Sequence, residues 1–255
     1  MDDPEKSKTF KSICRQAGQA IADYKMIAAG ERIMVGLSGG KDSMTLMHVL
    51  TYLQRHAPVD FEITAVTFNP GFPGFDSAVI RHYAQAHKWN HHVIDFAMDD
   101  FLKEKSAERR PCVLCSRIRR GKLYGKAEEL GCGKIALGHN LDDVCVSMLI
   151  SLSRGQGMKT MGPNVKADES RLRVIRPLVY VSENVIVECA RLFGFPDCGK
   201  CAYEETLEKS GDRAYFEKML GQLEKRIPHI RRNMLYSMSS IRPDYMLDRE
   251  FLKFE

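Results

Sequence analysis

The densest run of residues able to do chemistry is Ser38-Gly39-Gly40-Lys41-Asp42-Ser43. Its glycine pair allows a turn whose backbone N–H groups face outward, Ser38 and Ser43 add hydroxyl donors, and Lys41 adds a full positive charge. An apolar run from Arg32 to Leu37 leads in, and Met44, Leu46, Met47, Leu50 and Leu53 follow at helical spacing. A strand, a glycine turn and a helix start make an anion site, because the first N–H groups of the helix have no partner within it. The helix dipole adds about half a positive charge at that end. The Gly-Lys-Ser/Thr ending of a Walker A loop is absent, so this is a different phosphate-binding design. A turn that merely needed glycine would not require the serines, lysine and aspartate around it.

A second chemistry lies in sulfur. Cys112-Val113-Leu114-Cys115 and Cys198-Gly199-Lys200-Cys201 are two Cys-x-x-Cys pairs far apart in the chain. At that spacing two thiolates on one turn can reach a single metal ion or cluster. Structural zinc on four sulfurs, an iron–sulfur cluster on three or four, and a redox dithiol all fit, and spacing alone ranks zinc first. Cys14, Cys132, Cys145 and Cys189 stand singly, as buried structural cysteines do. Arg109 and Arg110 precede the first pair, and Arg117, Arg119, Arg120 and Lys122 follow it. Cations at the amino-terminal side of a helix oppose its dipole, which suggests an external anion such as RNA. They would also favour thiolate over thiol.

Gly138-His139-Asn140-Leu141-Asp142-Asp143 lies where a short apolar strand meets another helix. In a parallel sheet that turn shares an edge with the glycine loop, so Asp142 or Asp143 could hold Mg²⁺ on bound phosphates.

The elements that must position these groups alternate along most of the chain. Strands are expected at Arg32–Leu37, Phe61–Phe68, His91–Phe96, Lys134–Gly138 and Arg173–Tyr180, with helices between them. A first helix is expected over Ile13–Ala28, capped by Gly30. The segment 154–170 reads as a polar, glycine-bearing loop, and an amphipathic helix runs from Phe216 to Ile227, ended by Pro228. The expectation is an α/β fold: a Rossmann-like parallel sheet with helices on both faces and a C-terminal helical extension. The expected parts are an N-terminal helix over 1–30, a nucleotide-binding α/β domain over 31–200 and the extension over 201–255.

The chain has 255 residues, 44% of them hydrophobic and 28% charged, with a formal net charge of +5. That is ordinary for a globular protein and hints only mildly at a polyanionic partner. No apolar run has the length of a membrane span, and the polar start at Met1–Phe10 is unlike a signal peptide. Eight cysteines without a secretory signal fit a reducing compartment, with cytoplasm the expectation.

The Ser38–Ser43 loop resembles that of the PP-loop ATP pyrophosphatases, which split ATP between its α and β phosphates. Several motifs in order are similar to the TtcA-like tRNA 2-thiocytidine synthetases of that superfamily. They are Gly18–Asp23, the glycine loop, Pro111–Tyr124, Gly138-His139 with Asp142-Asp143, Ile175-Arg176-Pro177-Leu178, and Cys198 with Cys201. The resemblance spans about Gly18 to Ile241 and implies the PP-loop ATPase fold. It implies ATP and Mg²⁺ as cofactors, with Ser38, Gly39, Gly40, Lys41, Asp42, Ser43, Gly138 and His139 around the nucleotide. Lys41, Asp142 and Asp143 would be catalytic. It also implies a four-iron four-sulfur (4Fe-4S) cluster on Cys112, Cys115 and Cys201, with Cys198 the alternative third ligand. That reverses the preference for zinc.

The implied reaction is adenylation of the C2 oxygen of an anticodon-loop cytidine, followed by its replacement with sulfur. The partners implied are tRNA, held by Arg117, Arg119, Arg120 and Lys122; a sulfur donor such as a cysteine desulfurase or free sulfide; and a second copy in a homodimer. Two features depart from the family: Asn140 stands where a second histidine is usual, and the segment 154–162 matches loosely. The Asn form resembles the related tRNA 2-thiouridine synthetases, but their extra cysteine pairs near both termini are missing. Another reading is a PP-loop ligase that adds an amine and holds structural zinc. A third, outside enzymes, is an RNA-binding module with a vestigial ATP loop, against which Lys41, Asp42 and Ser43 stand intact.

Overall fold

Ile33 and Val35 on one side of a strand, and Met34 on the other, are all fully buried, so this strand is covered on both faces. That is the pattern of a parallel sheet between helical layers. The computed structural model describes residues 3–98, 100–101, 111–167, 170–199 and 211–250, with the side chains of 111–113 left aside.

In chain order the elements are α1 (Lys8–Asp23), β1 (Glu31–Gly36), α2 (Lys41–His56), β2 (Phe61–Asn69), α3 (Ser77–Ala86), β3 (His91–Asp95), α4 (Pro111–Glu129) and β4 (Lys134–Ala136). Then follow α5 (Leu141–Ser153), β5 (Asn164–Lys166), β6 (Arg173–Ile175), α6 (Glu183–Phe193), α7 (Asp212–Arg226) and α8 (Ile230–Ser239). The sheet order is β3-β2-β1-β4-β6-β5. All neighbours are parallel except β5, which pairs antiparallel with β6 at the edge.

The order reverses between β1 and β4, whose registers align Ile33 with Lys134 and Val35 with Ala136. Beyond their carboxyl ends lies the crevice where such sheets bind ligands. On one face α1, α2 and α6 share a core built on Phe10, Ile13, Met47, Leu50 and Ile186. On the other, Ala127, Leu123 and Tyr124 of α4 cover Met34, Val66 and Ile135. The C-terminal helices α7 and α8 lie on α5, where Phe216 and Leu220 meet Leu141, Cys145 and Val146. The expected α/β sheet with a helical extension is the observed fold.

Three expected boundaries need correction. Helix α1 stops at Asp23, capped by Tyr24, whose backbone N–H donates to the Ala20 carbonyl, and not near Ala28. Lys25 then takes a left-handed φ of 48°, and Gly30, φ 77°, serves the turn into β1 instead of capping a helix. The segment 154–170 holds strand β5: Asn164 pairs with Ile175, accepts from Arg173 Nε at 2.7 Å and donates to the Tyr24 carbonyl at 2.9 Å. Its polar composition is that of an edge strand, which buries no alternating face. The strand expected to run to Tyr180 ends at Ile175, because Arg176-Pro177 opens a turn and proline has no N–H for the ladder.

Under the sheet on the α2 side, His48 is enclosed by rings. Its centroid lies 4.3 Å from that of Phe193, 4.9 Å from Trp89 and 4.8 Å from His87, and its Nε2 pairs with Tyr83 Oη at 2.9 Å. Burial, then the nearby His87 and Arg55, pushes its pKa down to about 3. The unfolded chain therefore binds this proton below about pH 6.5 while the folded chain does not, so acid favours unfolding. Between about pH 6.5 and 4 this residue alone makes stability fall by up to about 1.4 kcal/mol per pH unit. Urea unfolding at about pH 7.5 and 5 will show the loss, and His48→Gln will shrink it. An unchanged difference in the variant would assign the acid sensitivity elsewhere.

Candidate active site

Three segments meet in the crevice at the end of β1. The first is the turn 37–40. Gly39 takes φ 83°, a left-handed value that glycine adopts without strain. Ser43 at the start of α2 reaches back: its Oγ donates to the Gly40 carbonyl at 3.0 Å and accepts from the Ser38 N–H at 3.1 Å. The two serine hydroxyls lie 3.1 Å apart. Gly40 is the N-cap of α2 but offers no side chain to the first N–H groups, which leaves them for a ligand.

The second segment is the turn 137–140. A Cβ at Gly138 would lie 2.8 Å from the Asp42 carbonyl carbon and 2.9 Å from Ser43 N, so only glycine lets this turn cross the start of α2. Asn140 caps α5 by accepting from the N–H groups of Asp142 and Asp143, and Asp143 Oδ2 accepts from Asn140 N at 2.9 Å. The Asn140 amide also donates to Asp42 Oδ1 at 2.9 Å, tying the two turns together. The departure at Asn140 therefore has a structural reason.

The third segment holds Cys198 and Gly199. Cys198 is buried, and a Cβ on Gly39 would stand 2.2 Å from its Sγ and 2.7 Å from Ile80 Cδ1. The Cys198 carbonyl accepts from Asp76 N at 2.9 Å, and Gly199 bridges to Phe75. The same loop carries Phe72, buried with Phe68 and Met98 in a cluster against which Cys115 packs. Cys115 and Cys198, from distant parts of the chain, thus border one loop at the carboxyl edge. Cys112 lies on the first turn of α4 with its side chain undescribed, and Cys201 lies outside the described residues. Among the described residues no cluster of three metal-ligating side chains forms. Soft thiols on two segments that border the same loop are the donor type that suits a cluster.

Charges in the crevice are shared between elements. Lys41 Nζ is 2.7 Å from Glu183 Oε1 and 3.1 Å from Asp42 Oδ2. Burial opposes its charge, but Asp42 and Glu183 outweigh that and hold its pKa above the ordinary lysine value. Burial raises Asp42 in spite of Lys41. Asp143 pairs with Arg213 of α7. Asp142 accepts from Glu183 N at 2.8 Å and lies 2.5 Å from Arg231 Nε of α8, so it braces the start of α6 against the C-terminal helices. The hard oxygens of Asp42 and Asp143 suit Mg²⁺ better, since each has one oxygen whose protein partner is a movable side chain, Lys41 or Arg213.

His139 Nδ1 accepts from Arg176 Nε at 3.1 Å. Burial, followed by the charge of Arg176, pushes its pKa down to about 4, so the ring is neutral at pH 7 and carries its proton on Nε2. Arg117, Arg119, Arg120 and Lys122 are exposed along α4. Arg119 depresses His139 and Arg120 depresses Arg176, which sets these two cations beside the crevice. Lys122 Nζ lies 5.2 Å from the centroid of the Phe96 ring.

Sequence reasoning missed Glu183, Arg213 and Arg231. The two arginines sit on helices far along the chain, and no local pattern announces their partners. The Asn140-x-x-Asp143 cap was readable as a capping box.

A family profile, described as a PP-loop domain, matches residues 10–195. The tRNA-cytidine(32) 2-sulfurtransferase of Geobacter sulfurreducens is 42% identical over 246 residues, covering 94% of each chain. The enzyme of the same name from Deinococcus radiodurans is 40% identical, covering 98% of this chain and 84% of its own. Fold and sequence together place the chain among the PP-loop ATP pyrophosphatases, and it belongs there to the TtcA-like tRNA 2-thiocytidine synthetases, a family of tRNA sulfurtransferases. Among solved structures, the U34-tRNA thiolase NcsA of Methanococcus maripaludis, determined with its 4Fe-4S cluster, matches in fold. The TM-score is 0.73 over 92% of this chain and 80% of that one, at 20% identity.

Gly39→Ala meets both a positive φ and the Cys198 sulfur. Calorimetric titration with ATP should show affinity reduced at least about tenfold, or ~1.4 kcal/mol. Affinity within twofold of the unaltered protein would mean that the loop binds nucleotide in another conformation.

Proposed function

We propose that the chain uses ATP to adenylate the C2 oxygen of cytidine 32 in tRNA and replaces that oxygen with sulfur. The observation that carries this reading is the contact between Cys198 and Gly39, which sets the first cysteine of the second pair against the phosphate loop. A carbonyl oxygen leaves poorly from the base, whereas a phosphate ester leaves readily, so activation and replacement need one shared cleft. The free N–H groups at the start of α2, with Ser38, Ser43 and Lys41, hold the triphosphate and stabilise charge on the departing pyrophosphate. Mg²⁺ on Asp42 and Asp143 would screen the phosphates there.

Neutral His139, fixed by Arg176, offers Nε2–H as a donor and serves as neither acid nor base at pH 7. A 4Fe-4S cluster on Cys112, Cys115 and Cys201 would supply soft-metal binding of sulfide next to the activated base. The burial of Cys198 against Gly39 supports Cys201 over Cys198 as the third ligand. Arg117, Arg119, Arg120 and Lys122 hold the RNA backbone, and the bases of a single-stranded loop are open to such a site. The sulfur donor is free sulfide, or a cysteine desulfurase whose persulfide a thiol reductant releases as sulfide, and a cytoplasmic homodimer is the working form. No helix among the described residues is long and apolar enough to cross a membrane.

Anaerobically purified protein, given tRNA, ATP and sulfide, should form 2-thiocytidine, read by mass spectrometry of nucleosides. Cys112→Ala should abolish the product and leave ATP affinity within twofold. Full 2-thiocytidine formation by colourless, zinc-loaded protein would overturn the role of the cluster, and the absence of that product from cluster-loaded protein would favour an amine-adding ligase.

A further inference from the structure

We propose that the turn joining α7 to α8 is a second RNA-backbone contact, through Lys225, Arg226 and Arg232 with Tyr236 stacking on a base. This rests on the tRNA-thiolation reading and adds a surface on the C-terminal helices, away from the α4 cations. Helix α7 ends on Lys225 and Arg226, and α8 opens with Arg231 and Arg232 and no acidic residue in its first turn. The dipole favours cations at the end of α7 but opposes them at the start of α8. Arg231 is compensated: it reaches Glu224 at 2.5 Å and Asp142 at 2.5 Å. Arg232 is exposed and has no ion pair among the described residues, and the same holds for Lys225 and Arg226.

Three cations with no ion pair among the described residues therefore flank one short turn. Such a concentration raises the energy of the free protein unless an external polyanion relieves it. Tyr236 follows Arg232 by one helical turn, on the same face, and is 69% exposed. A flat ring beside phosphate-binding cations is how proteins grip single-stranded nucleic acid. The place is right as well. Through Arg231 the turn is anchored to Asp142, next to the Asp143 that faces the crevice. A polynucleotide reaching the ATP loop would thus meet cations on α4 and again at this turn.

The test is tRNA affinity of full-length, cluster-loaded protein as a function of salt, for the unaltered chain, the Lys225→Ala/Arg226→Ala/Arg232→Ala variant and Tyr236→Ala. The triple variant should bind at least about tenfold more weakly near 100 mM salt, with the slope of log affinity against log salt reduced by about 2. Tyr236→Ala should weaken binding about fivefold or more with the slope unchanged. ATP affinity and the thermal midpoint should stay the same in both, since these side chains are exposed. A triple variant within twofold of the unaltered protein, with the same slope, would overturn this surface while leaving the thiolation reading intact. Failure of the unaltered protein to bind tRNA in a salt-dependent way would overturn both.

Discussion

The structure depends on two backbone approaches that leave no room for a methyl group. At Gly138 the turn after β4 lies against the first residues of α2, and at Gly39 the phosphate loop lies against the sulfur of Cys198. Each joins segments that are distant in sequence, and together they draw the glycine loop, the acidic turn and Cys198 to one edge. The hydrogen bond from Asn140 to Asp42 fixes the first approach in direction as well as distance. Polar side chains in this crevice are close enough to serve one another because glycine supplies the contact surface.

Charge balance then involves the C-terminal helices in the site. Asp142 and Asp143 sit side by side at the start of α5, and both are buried. Two adjacent buried carboxylates are costly unless each is compensated. Arg231 of α8 answers one and Arg213 of α7 the other. The packing of Phe216 and Leu220 on α5 holds both helices where those arginines reach. The helical extension is therefore tied by ion pairs to the acidic turn of the crevice.

Much of this was legible in the sequence. The alternation of strands and helices, the glycine loop, the cysteine pairs and the acidic turn all have local patterns with physical meaning, and the fold follows them. The misreadings share one cause. Strand β5 is short, polar and at an edge, so it carries no buried alternation, and its pairing is specified by β6. The end of α1 is set by the left-handed Lys25, a conformation that lysine does not advertise. Arg213, Arg231 and Glu183 gain their roles only from tertiary neighbours. Asn140 departs from the family's motif, and in three dimensions it is both the cap of α5 and the tie to Asp42.

In the reaction proposed, the loop at Ser38–Ser43 activates an oxygen of the RNA base and the cysteine segments bring the atom that replaces it. The most direct measurement follows the oxygen itself. A tRNA carrying ¹⁸O at C2 of the target cytidine, turned over with unlabelled ATP and sulfide, should release AMP that has gained one ¹⁸O. Unlabelled AMP, formed while the RNA gains sulfur, would contradict the account.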